Sequence, residues 1–199
     1  MPPRTSQILQ AVLLFLLALA LNAGAAALRT QERLSEKVIR LHVLANSDSP
    51  ADQALKLRVR DRLLLDAAPL LQQARDRREM EALLRDHLPE LAAAARDTLG
   101  DSYPVTLELR EAEFPTRRYD TFALPAGRYL ALRAVIGDGA GRNWWCVVFP
   151  PLCGGAAPDT DSGFTAEEIG LITRESAPYA LKFRAVECWE RIRQALSGE

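Results

Sequence analysis

Residues 143–153 read Asn143-Trp144-Trp145-Cys146-Val147-Val148-Phe149-Pro150-Pro151-Leu152-Cys153. The aromatic and β-branched run Trp144–Phe149 favours an extended strand, buried on both faces or central in a sheet. Pro150 and Pro151 have no N–H to give to a ladder, so the strand stops there and the chain turns. Cys146 and Cys153 lie on either side of that turn. A disulfide needs their Cα atoms about 5.5 Å apart, whereas seven extended steps span roughly 23 Å. A reversal at the proline pair closes that gap; otherwise the pair is two small buried thiols. The compartment decides between the two readings.

Working outward, Gly127–Ile136 reads as another strand. The glycine-rich turn Gly137-Asp138-Gly139-Ala140-Gly141 joins it to Trp144–Phe149 as an antiparallel hairpin. That turn lacks the lysine and helix start of a phosphate loop. Val105–Glu111 alternates strictly and predicts a half-buried strand, while Phe114–Asp120 is polar and broken by proline, an exposed connection or edge. Val38–Leu44 is a further strand, with Ile39, Leu41 and Val43 on one face and Arg40, His42 and Leu44 on the other.

Between these strands the periodicity is helical. Ser49 as N-cap, Pro50 at the first position and Asp52 three after the cap open a helix to about Asp66. Its apolar face is Ala51, Leu55, Val59 and Leu63, and Pro69 closes it. A second helical region, Gln72–Leu99, shows Met80, Leu84, His87, Leu88, Leu91 and Ala95 on one face. Pro89 predicts a kink or two abutting helices, and Gly100 a clean end. Beyond the proline pair, Gly154–Gly163 is a loop, Thr165–Glu168 caps a short helix, and a last helix begins near Tyr179 with Phe183, Val186, Trp189, Ile192 and Leu196 three or four apart. The order predicts an α+β fold, a small mixed or antiparallel sheet packed with helices.

The N-terminus adds a separate element. Arg4 precedes the apolar run Ala11–Leu21, followed by small residues from Asn22 to Ala27. This is the pattern of a secretory signal with an Ala-x-Ala site, and counted through Leu28 it approaches the length of a spanning helix. Residues 1–28 are therefore a signal peptide or a membrane anchor, and 29–199 a single exported domain. Export favours a Cys146–Cys153 bridge, worth about 2.5 kcal/mol by loop-closure entropy. Cys188 is left as a small apolar residue on a helical face.

Composition narrows the chemistry. With 25 Lys and Arg against 26 Asp and Glu, the chain is no general nucleic-acid binder. Its two histidines, His42 and His87, sit on different elements, and no Cys spacing suits zinc, so neither metal nor cofactor is expected. A nucleophilic Cys146 or Cys153 with His42 and Asn46 is conceivable, giving an extracytoplasmic hydrolase. An apolar strand raises a thiol pKa, however, which argues against it. The turn Asn46-Ser47-Asp48-Ser49 stands at a helix N-terminus, suited to an anion or a partner's carboxylate, or simply to capping its own backbone. Arg58, Arg60 and Arg62 with Asp61 read as a solvated face.

Two stretches carry a resemblance. Ile39-Arg40-Leu41-His42-Val43-Leu44-Ala45-Asn46-Ser47-Asp48-Ser49, with Asp52, Gln53, Leu55, Lys56 and Val59-Arg60-Asp61 following, resembles the front motif of the stage II sporulation protein R family. Asn143–Cys153 resembles its second motif. The resemblance covers roughly Leu34–Cys153 and implies a non-enzymatic protein made in the forespore and secreted across the forespore membrane into the intermembrane space, or anchored to that membrane. Its implied partner is a membrane-embedded aspartic protease of the mother-cell membrane, which processes the mother-cell sigma factor precursor. Trp144, Trp145, Phe149 and Pro151 would then form an apolar docking surface, with Asn46, Asp48, Ser49 and Asp52 supplying polar specificity. A passive cell-envelope domain is the remaining alternative.

Overall fold

The computed structural model describes residues 4–153, 158, 160 and 163–173. Helix α1 (Arg4–Ser35) leads into strand β1 (Ile39–Leu44), then α2 (Pro50–Gln73), α3 (Arg77–Asp86) and α4 (Leu88–Leu99). Strands β2 (Val105–Phe114), β3 (Arg117–Arg118), β4 (Ala123–Leu124), β5 (Gly127–Ile136) and β6 (Asn143–Phe149) precede α5 (Ala166–Thr173). The architecture is α+β. The final helix expected from Tyr179, with Cys188, lies outside the described residues, as does most of the Gly154–Gly163 loop.

The main sheet runs β2-β5-β1-β6. β1 is parallel to β5, with Leu41 opposite Leu132, and antiparallel to β6, with His42 opposite Trp145. Here the structure corrects two expectations. β5 and β6 do not form a hairpin, because β1 is inserted between them, and β6 is an edge strand rather than a central one. Local adjacency favours a hairpin, but β1 offers apolar residues to both sides and accepts both ladders.

Strand alternation splits the core into two layers. Ile39, Leu41 and Val43 join Leu130, Leu132, Ala134, Ile136, Cys146 and Val148 beneath α2–α4. On the opposite face Tyr129, Ala131, Val147 and Phe114 pack with Leu34 and Val38, with Phe122 and Leu124 around the β3–β4 ribbon, and with Phe164 and Ile172. Both faces are covered, so the second face of β1 is not the solvated one its polar residues suggest. Phe114 is buried at the end of β2, whose pairing with β5 runs past the expected end at Glu111 and takes in the first residue of the stretch read as an exposed connection.

The helices shift slightly from their predicted frames. The buried stripe of α2 is Asp52, Lys56, Val59, Leu63, Ala67 and Leu70, whereas Ala51 is exposed and Leu55 only partly covered. Pro69 does not end α2, which continues to Gln73. The carbonyl that loses its partner belongs to Leu65, which is 68% exposed and open to water. Burial of Ala67 and Leu70 holds the last turn down. The second helical region breaks at His87, where α3 ends and α4 begins with Pro89 in its first turn; Gly100 caps α4. His87 is exposed rather than on the apolar face. Thr165 and Glu168 cap α5 reciprocally, the Glu168 amide donating to Thr165 Oγ1 and the Thr165 amide to Glu168 Oε2.

Helix α1 stands apart in character. Its C-terminal turns are tied into the fold by buried Gln31 and Leu34. Further back, Ile8, Leu13, Phe15 and Leu21 are all more than half exposed. Among the described residues no helix is long and apolar enough to cross a membrane. The uninterrupted apolar run is about 11 residues, roughly 16 Å of helix against a hydrocarbon core of about 30 Å.

Candidate functional site

The two motif stretches meet at one end of the sheet. β1 delivers Ala45–Asp48 to the end where the β5–β6 connection must cross over it. The Gly141 amide donates to the Ala45 carbonyl at 2.9 Å and the Ala140 amide to the Asn46 carbonyl at 3.2 Å. The crossing is too close for side chains. A Cβ on Gly141 would sit 2.2 Å from the Ser47 carbonyl oxygen, and one on Gly137, whose φ is 55°, 2.2 Å from Asn46 Oδ1.

The side chains of the corner bind the chain itself. Asn46 Oδ1 accepts from the Asp138 amide, and Asn46 Nδ2 donates to Asp52 Oδ2 at 3.0 Å. Ser47 Oγ donates to the same carboxylate oxygen at 2.6 Å. Ser49 Oγ caps α2 by accepting from the Asp52 amide. Asp52 thus departs from the expected reciprocal cap: its carboxylate turns to Ser47 and Asn46 and is buried there. Those hydrogen bonds, Ser47's first and Asn46's next, hold it below the usual aspartate range, with Tyr103 adding to the effect. Asp48 Oδ1 accepts from the Arg142 amide at 2.7 Å. Lys56, buried on α2, donates to the Arg142 carbonyl and to Gln53 Oε1. Asn46, Asp48, Ser49 and Asp52 therefore lie together, and the groups they hold are the crossover and the start of α2.

The second stretch splits its aromatic residues between the two layers. Trp144 packs on the α2 side with the Arg60 guanidinium 4.3 Å from its ring centroid. Trp145 packs on the other side beneath Arg117, at 3.8 Å. Both indoles are half-buried, and neither buried Nε1 has a hydrogen-bond partner among the described residues. Arg60 is consequently not part of a solvated face; it roofs Trp144. Phe149 is partly covered and Pro151 exposed. The Cys146 and Cys153 sulfurs are bonded across the turn, with Cα atoms 5.5 Å apart.

Arg40 is the residue that sequence reasoning passed over. It is 0% exposed, and no ion pair reaches it among the described residues. Nη2 donates to Tyr119 Oη at 2.8 Å, while Nε and Nη1 have no acceptor. The guanidinium lies 4.0 Å from the Phe114 ring centroid and 5.0 Å from that of Tyr129. Burial lowers its pKa, opposed mainly by the two tyrosines. Two residues on, His42 Nε2 is 3.0 Å from Asn143 Oδ1 and Nδ1 is buried without a partner. Burial lowers the His42 pKa, against the pull of the Asn143 hydrogen bond. Among the described residues neither ring nitrogen is hydrogen-bonded to a cysteine or a carboxylate. No group of three or more metal-ligating side chains occurs among the described residues. The signal for Arg40 was its phase: an arginine and a histidine alternating on a strand whose other face is wholly apolar.

The family model described as Stage II sporulation protein R matches residues 35–157, from the foot of β1 past the Cys146–Cys153 turn. The chain belongs to that family. A curated relative bearing the name Stage II sporulation protein R, from Bacillus subtilis (strain 168), is 37% identical over 123 residues, 60% of this chain and 55% of the relative. The match thus spans about half the length of that relative. No solved structure matches the chain. What the family model covers is the sheet, the helices α2–α4 and the crossover; most of α1 and all of α5 lie outside it.

Proposed function

We propose that this sporulation protein is an intercompartmental signal, exported from the forespore, that activates a membrane-embedded aspartic protease processing the mother-cell sigma factor precursor. The observation that carries the reading is the family match over residues 35–157, which contains both motif stretches. The arrangement of side chains agrees with a ligand rather than a catalyst: the polar groups of the corner are spent on the crossover, and His42 lies against Asn143. The exposed apolar turns of α1 suit export or retention at a membrane surface.

Activation follows from differential binding. The chain stabilises the protease's active state only if it binds that state more tightly than the resting one. The aromatic end of β6, with Trp144 and Trp145 under their arginines and Phe149 and Pro151 at the turn, is the proposed docking surface, flanked by the Asn46–Asp52 corner.

The test is complementation in an endospore-forming host deprived of its own relative, reading precursor cleavage by immunoblot. The full chain restores cleavage, and a chain lacking residues 1–28 does not. Cleavage that proceeds equally well without any copy removes the signalling reading. Trp144→Ala and Trp145→Ala, checked for folding and export, examine the surface: if both still trigger cleavage, docking lies elsewhere.

A further inference from the structure

We propose that Arg40 anchors a binding site for one carboxylate side chain of a partner polypeptide, roofed by the β3–β4 ribbon. The proposal stands on the side-chain geometry and does not require the partner to be a protease.

Among the described residues, three N–H bonds of the Arg40 guanidinium, one on Nε and two on Nη1, end without an acceptor at a position with no solvent exposure. Their surroundings are aromatic: Phe114, Tyr129 and Tyr119, with Trp145 packed on the same face of the sheet against His42. The second guanidinium nearby, Arg117 on the ribbon, faces the ring of Trp145. Trp145 Nε1 is a further buried donor without an acceptor among the described residues. The cluster therefore holds two cations and an idle indole N–H, and among the described residues no ion pair engages Arg40. Buried charge in proteins is ordinarily paired, so an anion is the partner this cluster suits.

The chemistry of the walls selects its class. One buried guanidinium balances a single negative charge, and its planar fork of donors matches a carboxylate. A phosphate brings nearly two charges, and the second guanidinium, Arg117, is exposed on the ribbon over the Trp145 ring rather than buried with Arg40. A side chain presented on a polypeptide suits the site better than a free ion, because aromatic walls give apolar stem atoms something to touch.

Access runs through the ribbon. β3 and β4 are two residues each; β3 bears exposed Arg117 and Arg118, and the turn after it exposed Asp120. Tyr119, stacked on Phe122 at 4.5 Å, makes the ribbon's hydrogen bond to Arg40. Lifting that short element uncovers the guanidinium while the four-stranded sheet stays intact. Asp120 and the other ribbon residues then form the rim.

The experiment follows the Arg40 Nε–H and Trp145 Nε1–H resonances of the full chain by NMR. The probes are N-acetyl-Ala-Glu-Ala-amide, its Gln counterpart, sodium acetate and inorganic phosphate at constant ionic strength. The expected result is saturable shifts of both resonances with the Glu peptide, at least tenfold weaker response to the Gln peptide and phosphate, and loss of the response in Arg40→Met. Tyr119→Phe, which frees the roof, is expected to tighten Glu-peptide binding several-fold. Shifts with acetate alone show a free-ion site and overturn the polypeptide assignment. No saturable shift with any carboxylate, in wild type or in Tyr119→Phe, overturns the site itself.

Discussion

Replacing Arg40 by methionine is expected to leave the protein as stable as before or to make it more stable. The guanidinium carries a desolvation penalty of several kcal/mol, about 5 for a lone buried ion. Against this stand two cation–π contacts of about 2 kcal/mol each and one charged hydrogen bond to Tyr119 of about 1.5–3 kcal/mol. Those terms leave the guanidinium favourable by only about 0.5–2 kcal/mol, which burial of a methionine side chain, about 1.5–3 kcal/mol, offsets. Methionine has similar length, keeps dispersion contact with Phe114 and Tyr129, and leaves no donor stranded. The net change is therefore roughly 0 to +2 kcal/mol. Its strand neighbour Leu41, equally buried, is the control: Leu41→Ala should lose about 2–5 kcal/mol. Equilibrium urea unfolding followed by tryptophan fluorescence reads both. With a slope of about 2 kcal/mol per M, the Arg40→Met midpoint stays put or rises by up to about 1 M. A fall of more than about 1 M for Arg40→Met, at unchanged slope, would show that the guanidinium is satisfied in the fold and refute the reasoning.

Other perturbations address the corner and the indole roof. Asp52 has a depressed folded pKa, so its contribution is complete above the unfolded value near pH 4 and is lost as pH falls through the folded value. Urea midpoints between pH 7 and pH 3 should therefore decline less steeply in Asp52→Asn, with residual decline from Glu168 and Glu79, whose pKa values are also lowered. Gly141→Ala drives a Cβ against the Ser47 carbonyl and is expected to cost about 2–4 kcal/mol, with faster amide exchange at Gly141 and Ala140. Arg60→Ala uncovers Trp144 and should red-shift its emission while costing about 0.5–1 kcal/mol; an unmoved spectrum would mean the guanidinium does not roof the ring.

Much of this molecule is legible residue by residue. Ser49 and Pro50 announce the start of α2, Gly100 the end of α4, and the alternation from Val105 the strand β2, because each signal is local chemistry read over a few positions. What was not legible depends on distant partners. Nothing near Gly137–Gly141 says that a strand from nearly a hundred residues earlier will lie between β5 and β6, so the hairpin was the reasonable local answer. The same holds for Arg40, Lys56 and Asp52. Their polarity marks them as surface residues until the crossover, the ribbon and α1 close over them. Asn46 and Asp48 were readable as turn and cap residues, but their bonds to Asp138 and Arg142 only exist once the crossover is in place.

The insertion of β1 also dictates an order of assembly. Left to diffusion, β5 and β6 would zip together within microseconds, shutting the slot that β1 must occupy. A chain emerging from its N-terminus has β1 and α2 available before β6 exists, so β5 meets its proper neighbour first. Refolding from denaturant offers no such head start. The protein should therefore regain its native state more slowly and less completely in a test tube than during synthesis, and a circular permutant that places β5–β6 ahead of β1 should suffer the same handicap in the cell.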